Sequence, residues 1–95
     1  MNRITESFLQ SQVDRLNRLT GSPATPYVNG AAQVGCFHLS YAYGGVTLHR
    51  MCNASGGVSE PLHCGHVTRR DLSDRIAAFI AGYDAALTAQ HKAAA

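Results

Sequence analysis

Cysteine and histidine, the residue types that most often bind zinc in proteins, are concentrated in the middle of the chain. Cys36 and His38 alternate in one strand-like segment, His49 lies in the next, and His63 follows later. Alternate residues of a strand point to the same face, so the pattern allows a zinc site at these four positions. No Cys-x-x-Cys pair, the usual start of a structural zinc site, is present. We therefore predict no metal and no cofactor, and keep zinc as an alternative.

The same part of the chain offers a cysteine nucleophile beside a histidine base. Cys36 precedes His38 by two positions, and Cys64 precedes His66 by two positions. A catalytic cysteine also needs surroundings that stabilise its thiolate and a site for an oxyanion, and the sequence indicates neither. We therefore predict no catalytic residue and no enzymatic activity.

Arginine side chains offer a third chemistry, the binding of nucleic acid phosphates. Arg69 and Arg70 open the predicted second helix, where the double-stranded RNA-binding fold contacts phosphates, and Arg50 lies near the end of a predicted strand. Asp74 stands four residues after Arg70 and can neutralise it. The net charge is only +2, far from the dense basic surface of a dedicated nucleic-acid binder. Weak binding of structured nucleic acid by these three arginines is an alternative function.

The length and composition predict one small folded domain. The chain has 95 residues, of which 45% are hydrophobic and 15% are charged, values that fit a single core and not a disordered tail. Its first twenty residues mix charged and apolar side chains, so we expect no signal peptide, no membrane span and a cytoplasmic location. The three cysteines are an odd number and are expected to be reduced.

An amphipathic helix is predicted near the start of the chain. Apolar residues at helical spacing run from Ile4 to Leu19 and predict a helix over about 5–20. Thr5 can cap its first turn, and Gly21 marks its end.

A second helix is predicted in the last third of the chain. Thr68 and Asp71 form a start that is similar to a capping box. The apolar residues that follow share one helical face, and they are Leu72, Ile76, Phe79, Ile80, Tyr83 and Leu87. Residues 89–95 have no such pattern, so we predict a domain over 3–88 with a frayed or disordered tail over 89–95.

A β-hairpin is predicted between the helices. Two strand-like segments, 33–43 and 46–53, flank Gly44 and Gly45, a pair suited to a tight turn. If these glycines are the turn residues, Tyr43 faces Val46, and one side of the hairpin is apolar. The other side is polar and includes His38, Ser40, Thr47 and His49. In the flanking segments we expect a loop or a small hairpin within 22–35, a mobile loop over 53–60 and a last short strand over 61–67.

Together these elements predict an α+β fold in the order helix, two to four antiparallel strands, helix. Both helices carry an apolar stripe that must be buried, and the apolar face of the hairpin is the surface available for it. The N- and C-terminal helices are therefore expected on one face of the sheet. The polar face is expected to remain open to water or to a partner.

Short stretches spread along the chain form a distinctive combination. They are Leu9-Gln10, Val13-Asp14-Arg15, Asn17-Arg18, Thr20-Gly21-Ser22-Pro23, His38-Leu39-Ser40, Ala42-Tyr43-Gly44-Gly45-Val46 and Leu48-His49-Arg50-Met51. In these stretches the chain resembles small proteins of tailed phages and prophages of Gram-negative bacteria. The likeness runs from about residue 3 to residue 83 and is most specific in the hairpin. The resemblance implies an accessory protein made inside an infected bacterium, and it implies no catalytic residue.

Protein binding is the function that these observations predict. The predicted contact residues are those of the polar sheet face, His38, Ser40, Thr47 and His49, with an exposed strand edge as the other candidate surface. For a phage accessory protein the partner is a host or phage protein, which points to host takeover or to interference with a host defence. An unpaired sheet edge also allows a homodimer.

Overall fold

Two helices pack on one face of a small antiparallel sheet in the computed structural model, which describes residues 3–94. The elements are α1 (Glu6–Thr20), β1 (Tyr27–Val28), β2 (Ala31–Ala32), β3 (Phe37–Ala42), β4 (Gly45–Met51), β5 (Val58–Ser59) and α2 (Arg69–Ala94). Strands β1 and β2 pair with each other, and the main sheet has the antiparallel order β3-β4-β5. The predicted α+β class is confirmed. Within residues 3–94, no helix combines the length and apolar character needed to cross a membrane.

The ends of α1 lie where the sequence predicts them. The hydroxyl of Thr5 accepts a hydrogen bond from the backbone N–H of Phe8 at 3.1 Å and so caps the first turn. Gly21 ends the helix in the left-handed conformation, with a φ of 69° that glycine adopts without a steric penalty. Of the two alternatives predicted for 22–35, a loop or a small hairpin, the structure has the hairpin, and Asn29 and Gly30 form the turn between β1 and β2.

The apolar face of the sheet is covered by both helices, as predicted. The buried core consists of Leu9, Val13, Leu16, Phe37, Val46, Leu48, Leu72, Ile76 and Ile80. These residues come from one stripe of α1, one stripe of α2 and the helix-facing side of β3 and β4. Leu48, at the centre of β4, is completely buried. The hydrophobic effect therefore holds the two helices against the hairpin.

The predicted hairpin turn is wrong by one residue. The two turn residues are Tyr43 and Gly44, and the flanking pair is Ala42 with Gly45. Both turn residues have positive φ, 54° and 72°, as a type I′ turn requires. The predicted faces are nevertheless correct, since Leu39 still lies on the same side as its partner Leu48.

Gly45 is excluded from the turn by a contact with the segment that leads into α2. Val46 and Val67 exchange two backbone hydrogen bonds of 2.9 Å, which bring this segment against the start of β4. A Cβ atom on Gly45 would lie 2.9 Å from the carbonyl oxygen of Val67, closer than van der Waals contact allows. Glycine is therefore needed at this position for a close backbone approach, not for the turn.

Replacing Gly45 by alanine is expected to destabilise the protein by about 1–3 kcal/mol, because the added methyl group forces the Val67 backbone away from β4. Gly82 in α2 is the matched control, since nothing lies within 4 Å of the position of its Cβ. Gly82→Ala is expected to stabilise the protein by about 0.5–1 kcal/mol through helix propensity. Urea denaturation of both variants measures the difference, and equal effects at the two sites would contradict the assigned contact.

The segment between β4 and α2 differs from its prediction. The predicted mobile loop over 53–60 contains β5, whose Val58 pairs with Met51. The chain turns back there because the side-chain oxygen of Asn53 accepts hydrogen bonds from the N–H groups of Ser55 and Gly57. The strand predicted over 61–67 is wrong, and only Val67 of this segment pairs with the sheet.

The last helix is longer than the sequence predicts. We expected a frayed or disordered tail over 89–95, but α2 continues as a helix to Ala94. The side chains of residues 88–92 are exposed, so they contribute nothing to the core that supports the domain. The prediction for Ala95 falls outside the described residues.

Candidate functional site

The sheet face opposite the helices is partly covered by the loop that precedes α2. The Thr47 hydroxyl on β4 donates a hydrogen bond of 3.0 Å to the carboxylate of Glu60, which also accepts one of 2.6 Å from the backbone N–H of Gly65. Thr47 is fully buried as a result. The prediction that this face is open is therefore wrong at Thr47, whereas His38, Ser40 and His49 are partly exposed.

Glu60 is held in its ionised form by these contacts. The hydrogen bond from Thr47 and the one from the Gly65 N–H keep the pKa of the Glu60 carboxyl below its ordinary value, and the nearby His49 and His66 act in the same direction. Glu60 therefore fixes the loop over 60–66 to the sheet, and with it the position of His66.

The variant Glu60→Gln is expected to flatten the dependence of stability on pH. Because the pKa of Glu60 is lower in the folded than in the unfolded state, the ionised carboxylate stabilises the fold above the unfolded pKa of about 4.3. That contribution is lost as the pH falls through the folded pKa, where the wild-type side chain becomes neutral like the amide. Thermal unfolding should give a lower Tm for the variant at neutral pH and equal values in strong acid. A difference in Tm that does not change with pH would contradict this role.

Three histidine rings and one tyrosine ring form a continuous row across the polar face. The ring centroids of His38 and His49, on β3 and β4, are 5.8 Å apart, those of His49 and His66 are 6.4 Å apart, and those of His66 and Tyr43 are 5.5 Å apart. All three contacts are edge-to-face, the geometry that aromatic pairs prefer. Burial lowers the pKa of His38, which favours its neutral form. The row therefore ends at the ring of Tyr43, which contacts only the edge of His66 among the three histidines.

Tyr43 stands at the apex of the β3-β4 turn with 95% of its surface exposed. Its φ of 54° places a bulky residue in the left-handed region, where glycine, asparagine or aspartate is usual. Neither packing nor turn preference accounts for a tyrosine here. A residue that is both strained and exposed is a candidate for a functional role.

A cleft of about 350 Å³ opens beside this apex, between the hairpin and the start of α2. It is lined by Tyr41, Ala42, Gly44, Gly45, Val46, Val67, Thr68 and Arg69. Tyr41 is half exposed, and partial burial together with the nearby Glu6 carboxylate raises the pKa of its phenol. The cleft is therefore lined by the Tyr41 ring, by Arg69 and by residues of the turn, and it lies on the helix side of the hairpin, opposite His66. We call Tyr43, Tyr41, His66 and this cleft, which surround the turn on its two sides, the apex surface.

The arginines of the nucleic-acid alternative do not form one surface. Arg69 makes an ion pair of 3.2 Å with Glu6 at the start of α1. The guanidinium of Arg50 lies 4.6 Å from the centre of the Phe37 ring, and its Nε donates to the carbonyl of Gly35. Arg50 lies five positions along β4 from Gly45, the end that contacts the segment leading into α2, which is about 17 Å along a strand. Arg50 therefore serves the fold, and the geometry does not favour nucleic-acid binding by a combined arginine patch.

The residues of the zinc alternative are not brought together either. Cys36 is buried, accepts a hydrogen bond from Asn17 through its sulfur, and has its thiol pKa raised by burial, which opposes the thiolate that zinc needs. His38 and His49 face each other on the sheet, whereas His63 lies exposed in the loop. In the described part of the chain, no three His, Cys, Asp or Glu side chains are grouped to hold a metal ion. The arrangement of the described residues therefore gives the zinc alternative no support.

The sequence does not identify three residues of structural or functional interest. The Gly44-Gly45 pair predicts the turn one residue too far and so places Tyr43 on a strand, and Glu60 falls in the predicted mobile loop. Asn17 carries no sequence signal for its role, but it is buried and bound to β3. The available signal for Tyr43 was the Tyr-Gly-Gly triplet, in which either pair of neighbours can form the turn.

Comparison with other proteins assigns no family. No family model, no curated protein and no solved structure matches this chain. Function is therefore inferred from the geometry of the chain itself.

Proposed function

We propose that this chain is a non-enzymatic accessory protein of phage type that acts by binding a host or phage protein through the apex surface. The single observation that carries the proposal is Tyr43, almost fully exposed in a left-handed backbone conformation at the tip of the β3-β4 hairpin. Tyrosine is among the residues most enriched at the energetic centres of protein interfaces. A tyrosine maintained at a conformational cost is best explained by contact with a partner.

The surroundings of Tyr43 suit a protein partner better than a nucleic acid. The ring stands on the edge of His66, and the cleft beside it offers Tyr41 and exposed turn backbone to an apolar side chain of the partner. The one arginine that lines the cleft, Arg69, is already paired with Glu6. Backbone and aromatic surface without a concentration of positive charge is typical of protein interfaces, whereas nucleic-acid sites depend on charge.

The phage resemblance gives the proposal its biological setting. A small protein made in the cytoplasm of an infected bacterium, and acting in stoichiometric amounts, fits host takeover or interference with a host defence. The partner-binding residues predicted from the sequence lie close to the apex surface, since His49 contacts His66, and His66 contacts Tyr43. His38, Ser40 and His49 therefore belong at the border of the proposed interface, and Thr47 lies beneath it.

The experiment compares two tyrosines that are both exposed to solvent. Tagged wild-type protein, Tyr43→Asn and Tyr27→Asn are used to recover partners from host lysate treated with nuclease. Tyr27 is half exposed on β1, away from the β3-β4 turn, and serves as the matched control. Wild type and Tyr27→Asn should retain the same protein, and Tyr43→Asn should retain it about 30-fold less, the loss expected for a hot-spot residue.

The choice of asparagine separates binding from folding. Asn-Gly is the preferred pair for a type I′ turn, so Tyr43→Asn is expected to be at least as stable as wild type. A variant that folds well and does not bind identifies Tyr43 as a contact residue. Retention of the same protein by Tyr43→Asn, or recovery that disappears for all three proteins after nuclease treatment, would overturn the proposal.

A further inference from the structure

The outer edge of β3 has a hydrogen-bonding pattern that the register fixes. Antiparallel strands alternate between residue pairs that bond each other and pairs whose N–H and C=O groups point away. The backbone N–H and C=O of Val46 point away from β3, since they bond Val67 on the opposite side of β4. Its partner Tyr41 therefore also directs its N–H and C=O outward, and so do Leu39 and Phe37 at the alternate positions.

One of these three outward positions is already occupied. The side-chain amide of Asn17 donates to the carbonyl of Phe37 at 2.9 Å and accepts from its N–H at 2.8 Å, as the backbone of a neighbouring strand would. The outward groups of Leu39 and Tyr41 have no hydrogen-bond partner among residues 3–94. The open edge of β3 therefore consists of two donors and two acceptors, on residues 39 and 41.

The part of this edge near the turn is accessible. Asn17 of α1 covers the edge at Phe37, whereas Tyr41 is 48% exposed. Residues 39–42 contain no charge, no proline and no bulge, the devices that usually protect an edge from pairing.

We infer that this edge pairs with the same edge of a second copy, in an antiparallel register centred on Ser40. In that register Leu39 faces Tyr41 of the second copy and Tyr41 faces Leu39, so all four open groups on each chain are bonded. Centring the pair on residue 39 would place Tyr41 against Phe37, whose groups Asn17 already holds. Centring it on residue 41 would place Leu39 against Tyr43 of the turn. The Ser40 register is therefore the one that satisfies the edge, and a C2 dimer is the symmetric result.

The side chains are compatible with this pairing. Leu39 would contact Tyr41 of the second copy on the helix side of a continuous six-stranded sheet, which covers part of the half-exposed Tyr41 ring. On the other side, Ser40 faces itself and His38 faces Ala42, so no like charges meet. The interface is small, and a concentration-dependent equilibrium between monomer and dimer follows.

The test is a disulfide cross-link between the two copies at the proposed two-fold axis. In a Cys52→Ser background, which removes an exposed free thiol, Ser40→Cys is oxidised under mild conditions. Residues 40 of the two copies form a non-hydrogen-bonded pair with Cα atoms about 4.5 Å apart, within the range of a disulfide. Ala42→Cys is the matched control, because its two copies would lie about 13 Å apart along the strands and cannot be bridged.

A disulfide-linked dimer of Ser40→Cys, with little or none for Ala42→Cys, is the expected result. Sedimentation of the protein without added cysteines should show dimer growing with concentration, and Ser40→Lys should raise the dissociation constant about tenfold or more by placing like charges at the axis. Monomer at every concentration, or equal cross-linking of the two variants, would overturn the inference. Because purified protein alone is measured, either outcome leaves the proposed partner of Tyr43 to its own test.

Discussion

Asn17→Leu is expected to lower the free energy of unfolding by about 3–4 kcal/mol, a large fraction of the stability of a domain this small. Asn17 is only 3% exposed, and its amide bonds both the N–H and the carbonyl of Phe37. Leucine has a similar volume but no polar atom, so both backbone groups would be left buried and unpaired. Each such group costs about 1–3 kcal/mol.

The control for this substitution is a polar residue of the same helix whose bond is exposed. Gln10 donates to Asp14 at 3.0 Å on the surface of α1, and Gln10→Ala is expected to change the stability by less than about 0.5 kcal/mol. Urea denaturation monitored by circular dichroism gives both values. A loss for Asn17→Leu no larger than that for Gln10→Ala would show that Asn17 does not bind α1 to the sheet.

Leu48→Ala is expected to cost about 3–4 kcal/mol, because Leu48 is completely buried in the core to which both helices contribute. The loss combines the transfer of the removed methyl groups to water with the cavity that remains. Val34→Ala removes an apolar group that is 54% exposed and should change the stability by less than about 0.5 kcal/mol. Equal losses for the two variants, measured by denaturation, would contradict the assignment of the helix-covered face as the core.

The parts of the fold that the sequence predicts are those set by local periodicity. The α1 helix follows from apolar residues at a spacing of 3.6 and from the cap residues Thr5 and Gly21. The apolar and polar faces of the hairpin follow from the alternation of side chains along each strand. Moving the turn by one residue shifts the pairing of the two strands by two residues, so every side chain stays on its predicted face. Leu39 and Leu48 are therefore on the correct face although the turn was wrong.

The parts that the sequence does not predict depend on contacts between distant residues. Gly45 is required by Val67, twenty-two positions further along the chain, and Thr47 is buried by Glu60, thirteen positions further along. Turn preferences place Gly45 in the turn, and strand alternation places Thr47 on an open polar face. Neither prediction can include the loop that folds back onto the sheet, because no local sequence pattern indicates that contact. The same holds for Asn17, because a polar residue in an amphipathic helix gives no local sign that it is buried against the edge of β3.

The candidate site shows the same division. The histidines of the polar face were identified from alternation, but their meeting with His66 and Tyr43 needs the loop over 60–66 to be fixed by Glu60. Tyr43 itself conflicts with turn preference, and a conflict between local preference and structure is most often found at functional positions.

The most direct test of the central claim is photo-cross-linking at the apex in host cells. A photoreactive phenylalanine analogue is incorporated at position 43 in one protein and at position 27 in another, since both wild-type residues are exposed tyrosines. Irradiation should yield one discrete adduct with a host or phage protein from position 43 and none of that mass from position 27. Adducts that are identical at both positions, or that contain nucleic acid only, would contradict the assignment of the Tyr43 apex as a protein-binding surface.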